Sequence, residues 1–205
     1  MQMLKHICLV GFLLLCFFEL SGQIKSGPIV TISNGWLEKG PIFKGGYGEQ
    51  NGLKDGKWKN RISFQIGYQF LFPLKNNFSI NTSLLYQSRG VHIAYNRTFE
   101  DSVNESKYLN ALSMNIGINY SIISKIPIGI GLEPTYYFNT DLIDNLEKNK
   151  IFDVPICIKV GYEFRLIEIA LSYKHGFNSL YRNSIVSKAT TRDIQLSIFI
   201  PISFK

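Results

Sequence analysis

The side chains in this 205-residue chain that could do chemistry are charged residues on the polar side of alternating apolar–polar segments. They are Arg61, Glu133, Asp153, Lys159, Glu163, Glu168, Lys174, Arg192 and Asp193. A cluster of such groups could form an ion path or a catalytic site with shifted pKa values. It could also be a structural network, because charges removed from water need partners of opposite sign. The mixed signs favour a structural network, whose predicted members are Arg61, Glu133, Lys159, Glu163, Glu168, Lys174 and Arg192.

A histidine followed by a serine is the second candidate. His175 precedes Ser179, and a His–Ser pair supported by a carboxylate can carry out nucleophilic hydrolysis. The spacing alone is weak evidence, and the sequence has no Gly-x-Ser-x-Gly nucleophile elbow. Gly45-Gly46-Tyr47-Gly48 lacks the Gly-Lys-Ser/Thr ending of a phosphate-binding loop, and Cys157 has no cysteine partner beyond residue 22 for a zinc site. We therefore predict no catalytic residue, metal or cofactor.

The first 22 residues have the pattern of a secretory signal peptide. A basic start at Lys5 precedes the apolar run Ile7–Phe18, and cleavage before Gln23 is expected. The run is too short for a bilayer-spanning helix, which needs about 20 apolar residues. Residues 23–205 then form one domain with a net charge of +7, since Lys5 and Glu19 leave together. Its basic residues are scattered, which argues against a nucleic-acid partner.

Strict period-2 alternation marks the β-strands of this domain. From Ile62 to Phe72 every even residue is apolar, and most of the intervening residues are polar or glycine. Similar patterns, the first of them the weakest, predict eight strands: Pro28–Trp36, Ile62–Phe72, Phe78–Tyr86, Leu112–Ile122, Ile126–Phe138, Phe152–Phe164, Ile167–Tyr173 and Ile194–Phe204.

The connections between these strands alternate in length. Long loops are expected at 38–59, 97–108, 140–150 and 176–189, and short turns at 73–77, 124–125 and 165. Short turns at one end and long loops at the other are typical of outer-membrane barrels. We therefore predict an all-β fold, an eight-stranded antiparallel up-and-down transmembrane β-barrel with both termini in the periplasm and the loops outside the cell.

A soluble barrel or β-sandwich is the rival fold. It would turn the apolar face inward and expose charged residues, whereas the polar face here is mostly Ser, Asn, Gln and Gly, which suit a narrow lumen. Pro134, Pro155 and Pro201 count against central strands, because each removes a ladder hydrogen bond. Bulges could absorb them.

Aromatic residues are expected in two girdles at the membrane interfaces. The periplasmic girdle would contain Phe70, Phe72, Phe78, Tyr120, Tyr162, Phe164 and Phe204. The outer girdle would contain Trp36, Tyr86, Tyr95, Tyr136, Phe138, Phe152 and Tyr173. Between them the apolar face is mostly aliphatic.

Several short motifs resemble those of the PorT-like outer-membrane β-barrel family. They are Phe64-Gln65-Ile66-Gly67, Phe72-Pro73-Leu74, Phe78-Ser79-Ile80, Leu84-Leu85-Tyr86-Gln87-Ser88-Arg89-Gly90, Gly161-Tyr162-Glu163-Phe164, and Tyr173 with Gly176-Phe177-Asn178. The resemblance covers most of residues 27–204 and implies an eight-stranded barrel in the outer membrane of a Gram-negative bacterium. The run Ile198, Ile200, Ile202, Phe204 is similar to the C-terminal signal read by the barrel-assembly machinery, although Lys205 follows the aromatic residue. The family's namesake assists a secretion system, and the family implies no catalytic residue.

Three functions stay open on these patterns. The first is a non-enzymatic outer-membrane barrel that acts through external loops as a binding or structural envelope component. Its expected partners are outer-membrane lipid and lipopolysaccharide. The predicted loop 38–59 carries five lysines, for which loop flexibility is the favoured interpretation and contact with anionic lipopolysaccharide or a partner is the alternative. The second is an accessory of a protein secretion system, with a secretion or envelope protein as partner. The third is a lipid-modifying enzyme that uses His175 and Ser179.

Overall fold

The computed structural model describes residues 23–37, 53–97, 100–138, 152–177 and 190–203. Its elements are β1 (Lys25–Leu37), β2 (Leu53–Lys59), β3 (Arg61–Pro73), β4 (Phe78–Arg97), β5 (Glu100–Ile123), β6 (Ile126–Leu132), β7 (Thr135–Tyr137), β8 (Phe152–Asp153), β9 (Ile156–Glu163), β10 (Glu168–His175), β11 (Thr191–Phe199) and β12 (Ile202–Ser203). The described residues contain no helix long and apolar enough to cross a membrane.

These strands form one closed antiparallel barrel. When elements separated by a short break are counted as one strand, each strand pairs with its neighbours in sequence. β1 pairs with both β3 and β11, so the first strand also pairs with the last and closes the barrel. Four pairs of elements continue one strand across a short break: β2 with β3, β6 with β7, β8 with β9, and β11 with β12. The barrel therefore has eight strands in up-and-down order. The predicted fold class is confirmed.

The prolines lie at the breaks in the strands. Pro134 separates β6 from β7, Pro155 separates β8 from β9, and Pro201 separates β11 from β12. Adjacent strands remain bonded there, since the Met114 amide donates to the Pro134 carbonyl at 3.0 Å and the Glu133 amide to the Pro155 carbonyl at 2.9 Å. The missing proline donors thus fall where the regular ladder is already interrupted.

Two predicted loops are partly strand. Residues 53–59 of the predicted loop 38–59 form β2, which pairs with β4. Residues 97–108 were predicted as a loop, but β4 runs to Arg97 and β5 begins at Glu100. The prediction failed because alternation reports burial on one face. A ladder of backbone hydrogen bonds can continue through a polar segment without that pattern.

The two faces of the barrel have opposite chemistry. On β3 the apolar residues Ile62, Phe64 and Ile66 are 55–59% exposed, whereas Ser63 and Gln65 are about 2% exposed. This is the reverse of a soluble barrel, whose apolar residues fill the interior. An apolar surface of this extent needs lipid around it.

A tight turn joins β3 to β4. Asn76 and Asn77 have φ values of 59° and 64°, and the Phe78 amide donates to the Lys75 carbonyl at 3.3 Å. Two consecutive positive φ values mark a type I′ turn, which suits the twist of a hairpin.

We expect Asn76→Val to lower the free energy of unfolding by about 1–3 kcal/mol, because a β-branched residue is strained at positive φ. Urea titration of the barrel in phospholipid vesicles, followed by tryptophan fluorescence, measures this. Asn77→Gly is the matched control and should leave stability equal or higher, since glycine favours this turn. Equal losses in both variants would contradict the turn assignment.

Candidate functional site: the barrel lumen and its outer rim

A buried ion pair lies at the centre of the lumen. Lys174 on β10 pairs with the Glu133 carboxylate, which follows β6. Lys174 Nζ also donates to Gln65 Oε1 at 3.4 Å, and Asn115 Nδ2 donates to Glu133 Oε2 at 3.5 Å. Cys157 Sγ lies 4.0 Å from the same carboxylate oxygen. Both charges are thus held by neighbours from several strands.

A second buried cluster closes the outer part of the lumen. The Arg89 guanidinium pairs with Asp193 and donates from Nη1 to Tyr137 Oη at 3.2 Å. Next to it, Thr191 donates to the carboxylate of Asp153 at 3.0 Å. Tyr137 is 1% exposed and Asp153 is fully buried, so this level of the barrel is tightly packed.

Two more ion pairs lie toward the end with the short turns. Lys159 and Glu168, on adjacent strands β9 and β10, are 3.0 Å apart and largely buried. Lys25 and Glu163 are 3.2 Å apart at the rim and partly exposed. Each of the four ion pairs described here joins two strands. Lys159–Glu168 links neighbouring strands, and the other three link strands that are not direct neighbours.

An apolar cluster shares the interior with these charges. Ile29, Leu85 and Phe199 are buried together inside the barrel. Gly67 is in register with both Ile29 and Leu85. A Cβ atom at Gly67 would lie 2.0 Å from the Leu84 carbonyl oxygen, so only glycine fits this close approach of the two strands.

The remaining space in the lumen is small. One cavity of about 60 Å³ is lined by side chains such as Gln69, Asn81 and Gln195. Another, of about 110 Å³, lies at the turn end beside Lys25 and Arg165. Such volumes hold a few water molecules. Within the described residues, the lumen is a packed interior rather than an open pore, as expected for a barrel of this size.

Five of the predicted network residues lie in the lumen and make the ion pairs described above. They are Glu133, Lys159, Glu163, Glu168 and Lys174. Arg61 does not join them. The Arg61 guanidinium instead reaches Tyr108 on the barrel exterior, with Nη2 donating to Tyr108 Oη at 2.9 Å. Arg192 lies between buried Thr191 and Asp193 on β11, and its own Nε is buried.

Lys25 and Arg89 are lumen residues that the predicted network does not include. Both lie on the inward-facing side of their strands, but beyond the predicted strand ends at Pro28 and Tyr86. The predicted network also contains Arg192 and not the adjacent Asp193, although both are on the predicted polar face. Strand alternation allows only one of two consecutive residues to face inward, and this rule would have selected Asp193.

Aromatic side chains lie outward near both ends of the barrel. At the turn end the Phe78 ring is tilted against Tyr120 at 4.9 Å and the Tyr162 ring packs edge-on against Phe164 at 4.7 Å. Phe70 packs between Tyr68 and Phe72. At the other end the exposed residues of the predicted outer girdle are Tyr86, Tyr136, Phe138, Phe152 and Tyr173. The Trp36 and Tyr95 side chains and all of Phe204 fall outside the described part.

The distance between these aromatic groups suits a bilayer. Ten residues separate Phe152 from Tyr162 along one strand. At about 3.4 Å per residue and a tilt of about 40°, they rise about 26 Å, close to the apolar band of an outer-membrane barrel.

The candidate hydrolase pair receives little support from the geometry. His175 alternates outward with Tyr173, and its ring packs edge-on against Phe177 at 5.5 Å. Ser179 lies outside the described residues, as do 38–52 of the lysine-rich loop. In the described part of the chain, no group of three or more His, Cys, Asp or Glu residues could hold a metal ion.

The chain is similar to several solved outer-membrane proteins. Ail, the attachment invasion locus protein of Yersinia pestis in complex with the heparin analogue sucrose octasulfate, is 15% identical over 88% of this chain and 100% of its own, with a TM-score of 0.43. The outer membrane protein OprG from Pseudomonas aeruginosa is 11% identical over 89% of this chain and 97% of its own, also with a TM-score of 0.43. These values are too low to transfer any activity to this chain.

Comparison at the family level is more informative. No curated protein matches the chain. Residues 33–182, well over half of the sequence, match the family described as "Outer membrane protein beta-barrel domain". The match spans strands β1 to β10, including the central Glu133–Lys174 pair. The chain therefore belongs to the outer membrane protein β-barrel domain family and is an outer-membrane β-barrel protein.

Proposed function

We propose that this protein is a non-enzymatic envelope component that binds its partners at the outer end of the barrel. The observation that carries the proposal is the packed lumen. Glu133, Lys174, Arg89 and Asp193 are 2–5% exposed and paired with one another, so their charges serve the wall of the barrel. Among the described residues, the two lumen cavities hold a few water molecules rather than a sizeable substrate. Recognition then falls to the ends and loops, where outer-membrane barrels commonly carry it.

The barrel has a defined orientation in the membrane under this proposed function. Residues 1–22 act as a cleaved signal, the short turns at Asn76 and Lys125 face the periplasm, and the longer connections face outward. The even strand number supports this arrangement, because it brings both ends of the barrel to one side. The barrel-assembly machinery inserts the chain, and lipopolysaccharide surrounds its outer half.

A PorT-like role as a secretion accessory is the second candidate. The residue motifs Phe72-Pro73-Leu74 and Leu84–Gly90 support it, because they resemble that family. Among the described residues, β5 pairs with β4 as far as Glu100 but with β7 only as far as Ala111, so the outer part of β5 offers a strand edge to another protein. A lipid-modifying enzyme is less favoured, because His175 packs against Phe177 on the exterior and no carboxylate partner is described for it.

Affinity purification separates these functions. We expect a tag inserted at Lys125, in a periplasmic turn, to leave the barrel intact, which is checked by a change in gel mobility on boiling. If the first proposal holds, gentle solubilisation recovers the barrel without stoichiometric secretion subunits. Recovery of a stoichiometric secretion complex, together with stranded cargo in a deletion strain, would replace it by the accessory role. Altered lipid A acylation in a strain expressing His175→Ala would instead favour the enzyme.

A further inference from the structure

Arg61 takes an unusual path on the barrel exterior. Its neighbours Ser63 and Gln65 point into the lumen, but its side chain runs across Gly90 to Tyr108. A Cβ atom at Gly90 would lie 2.6 Å from both Cγ and Cδ of Arg61, so the glycine leaves the groove in which the arginine lies. The guanidinium carbon is 4.6 Å from the centre of the Tyr108 ring. The arginine head is thus held in place by a neutral partner.

The position of this pair is at the upper edge of the lipid-facing surface. Tyr108 is two residues beyond Asn110, whose carbonyl accepts from the amide of the girdle residue Phe138. Two residues of a tilted strand rise about 5 Å. The Arg61 head therefore lies just above the outer aromatic girdle, where lipid headgroups meet the barrel.

The charge pattern of the exterior points to an anionic ligand. Among the outward side chains that the structure describes on the strands, Arg61 carries a permanent positive charge and none is acidic. Arg61 is in register with Gly35, so its backbone lies at the same rim as the end of β1.

We propose that Arg61, held on Tyr108, binds a phosphate group of lipopolysaccharide in the outer leaflet. This deepens the proposed function and rests on its orientation. Guanidinium groups bind phosphate through two parallel hydrogen bonds. Tyr108 occupies only Nη2 and leaves the other donors of Arg61 for the ligand. Stacking on the ring fixes the head without neutralising its charge.

Binding to purified, folded barrel in detergent tests the site. The probes are lipopolysaccharide with intact lipid A phosphates, the same material after enzymatic dephosphorylation, and inorganic phosphate, and native mass spectrometry counts the bound molecules. We expect Arg61→Gln to weaken binding of intact lipopolysaccharide by about tenfold, the value of a lost charge-assisted hydrogen bond. The affinity of Arg61→Lys for intact lipopolysaccharide should lie between those of the wild type and Arg61→Gln, because a lysine keeps the charge but not the paired donors.

Two controls complete the experiment. Lys125→Gln removes an exposed cation from the periplasmic turn and should bind lipopolysaccharide as the wild type does. Dephosphorylated material should bind wild type and Arg61→Gln equally. The proposal is overturned if Arg61→Gln binds intact lipopolysaccharide normally, or if dephosphorylation leaves wild-type binding unchanged. Displacement of lipopolysaccharide by equimolar inorganic phosphate would also overturn it, because the site would then take free phosphate rather than lipid.

Failure of this site and failure of the proposed function give different results. The binding assay uses the isolated barrel, so partners in the envelope do not affect it. A secretion complex recovered with a barrel that still discriminates phosphorylated lipopolysaccharide would overturn the proposed function alone. A barrel recovered alone that shows no such discrimination would overturn the lipid site alone.

Discussion

Lys174→Met should lower the free energy of unfolding by about 3–5 kcal/mol, because it leaves the Glu133 carboxylate buried without its cation. Glu133 is 2% exposed, and the groups that remain near it are Asn115 and Cys157, at 3.5 and 4.0 Å. Neither carries the compensating positive charge. Urea titration in phospholipid vesicles with tryptophan fluorescence measures the loss.

A double variant separates the charge from the packing. Glu133→Gln with Lys174→Met removes both charges at similar volume, and we expect it to recover most of the stability that Lys174→Met loses. Labelling of Cys157 by a small thiol reagent gives a local readout, because its sulfur lies beside Glu133. Labelling should be faster in the single variant than in the double variant. Equal stability of the two variants would show that charge burial does not set the cost.

Lys25→Gln is the exposed counterpart of this experiment. Its partner is Glu163 at 3.2 Å, and the two side chains are 38% and 26% exposed. Exposed pairs contribute about 0–1 kcal/mol, so this variant should remain close to the wild type. A cost as large as that of Lys174→Met would contradict the importance of burial.

Gly67→Val is expected to prevent assembly of the barrel. The added Cβ would meet the Leu84 carbonyl oxygen at 2.0 Å and the Leu85 Cα at 2.9 Å, and backbone atoms in a closed ladder cannot move aside independently. The larger side chain would also enter the space between Ile29 and Leu85. The measurement is the difference in gel mobility before and after boiling, which the variant should lose at every refolding condition that suits the wild type.

Gly161→Ala is the matched control for an inward glycine. A Cβ atom there would lie 3.2–3.4 Å from Pro127, Glu168 and Ala170, and in each case the nearest atom belongs to a side chain. These neighbours can shift by a few tenths of an ångström. The variant should therefore fold and keep its mobility shift. If Gly67→Val folds as well as Gly161→Ala, the close approach at Gly67 is not a requirement of the barrel.

Errors at the strand ends had direct consequences for the site. The first strand was predicted to begin at Pro28, but it begins at Lys25. The third was predicted to end at Tyr86, but it continues to Arg97. The missing ends contain Lys25 and Arg89, each of which holds a lumen carboxylate. The prediction for Arg61 was wrong for another reason. Alternation along β3 places Arg61 on the inward side, but the absence of a side chain at Gly90 opens an outward path, which no pattern within β3 could reveal.

The sequence by itself determined which side of most strands faces lipid and which faces the lumen, because alternation repeats every two residues whatever the neighbouring strand is. It also indicated the barrel, through strand number and loop lengths. The tertiary structure alone decided which charges meet. Glu133 and Lys174 are 41 residues apart, and Arg89 and Asp193 are 104 apart. Their contact depends on the register between strands and on closure of the sheet, which bring distant positions to one level of the lumen.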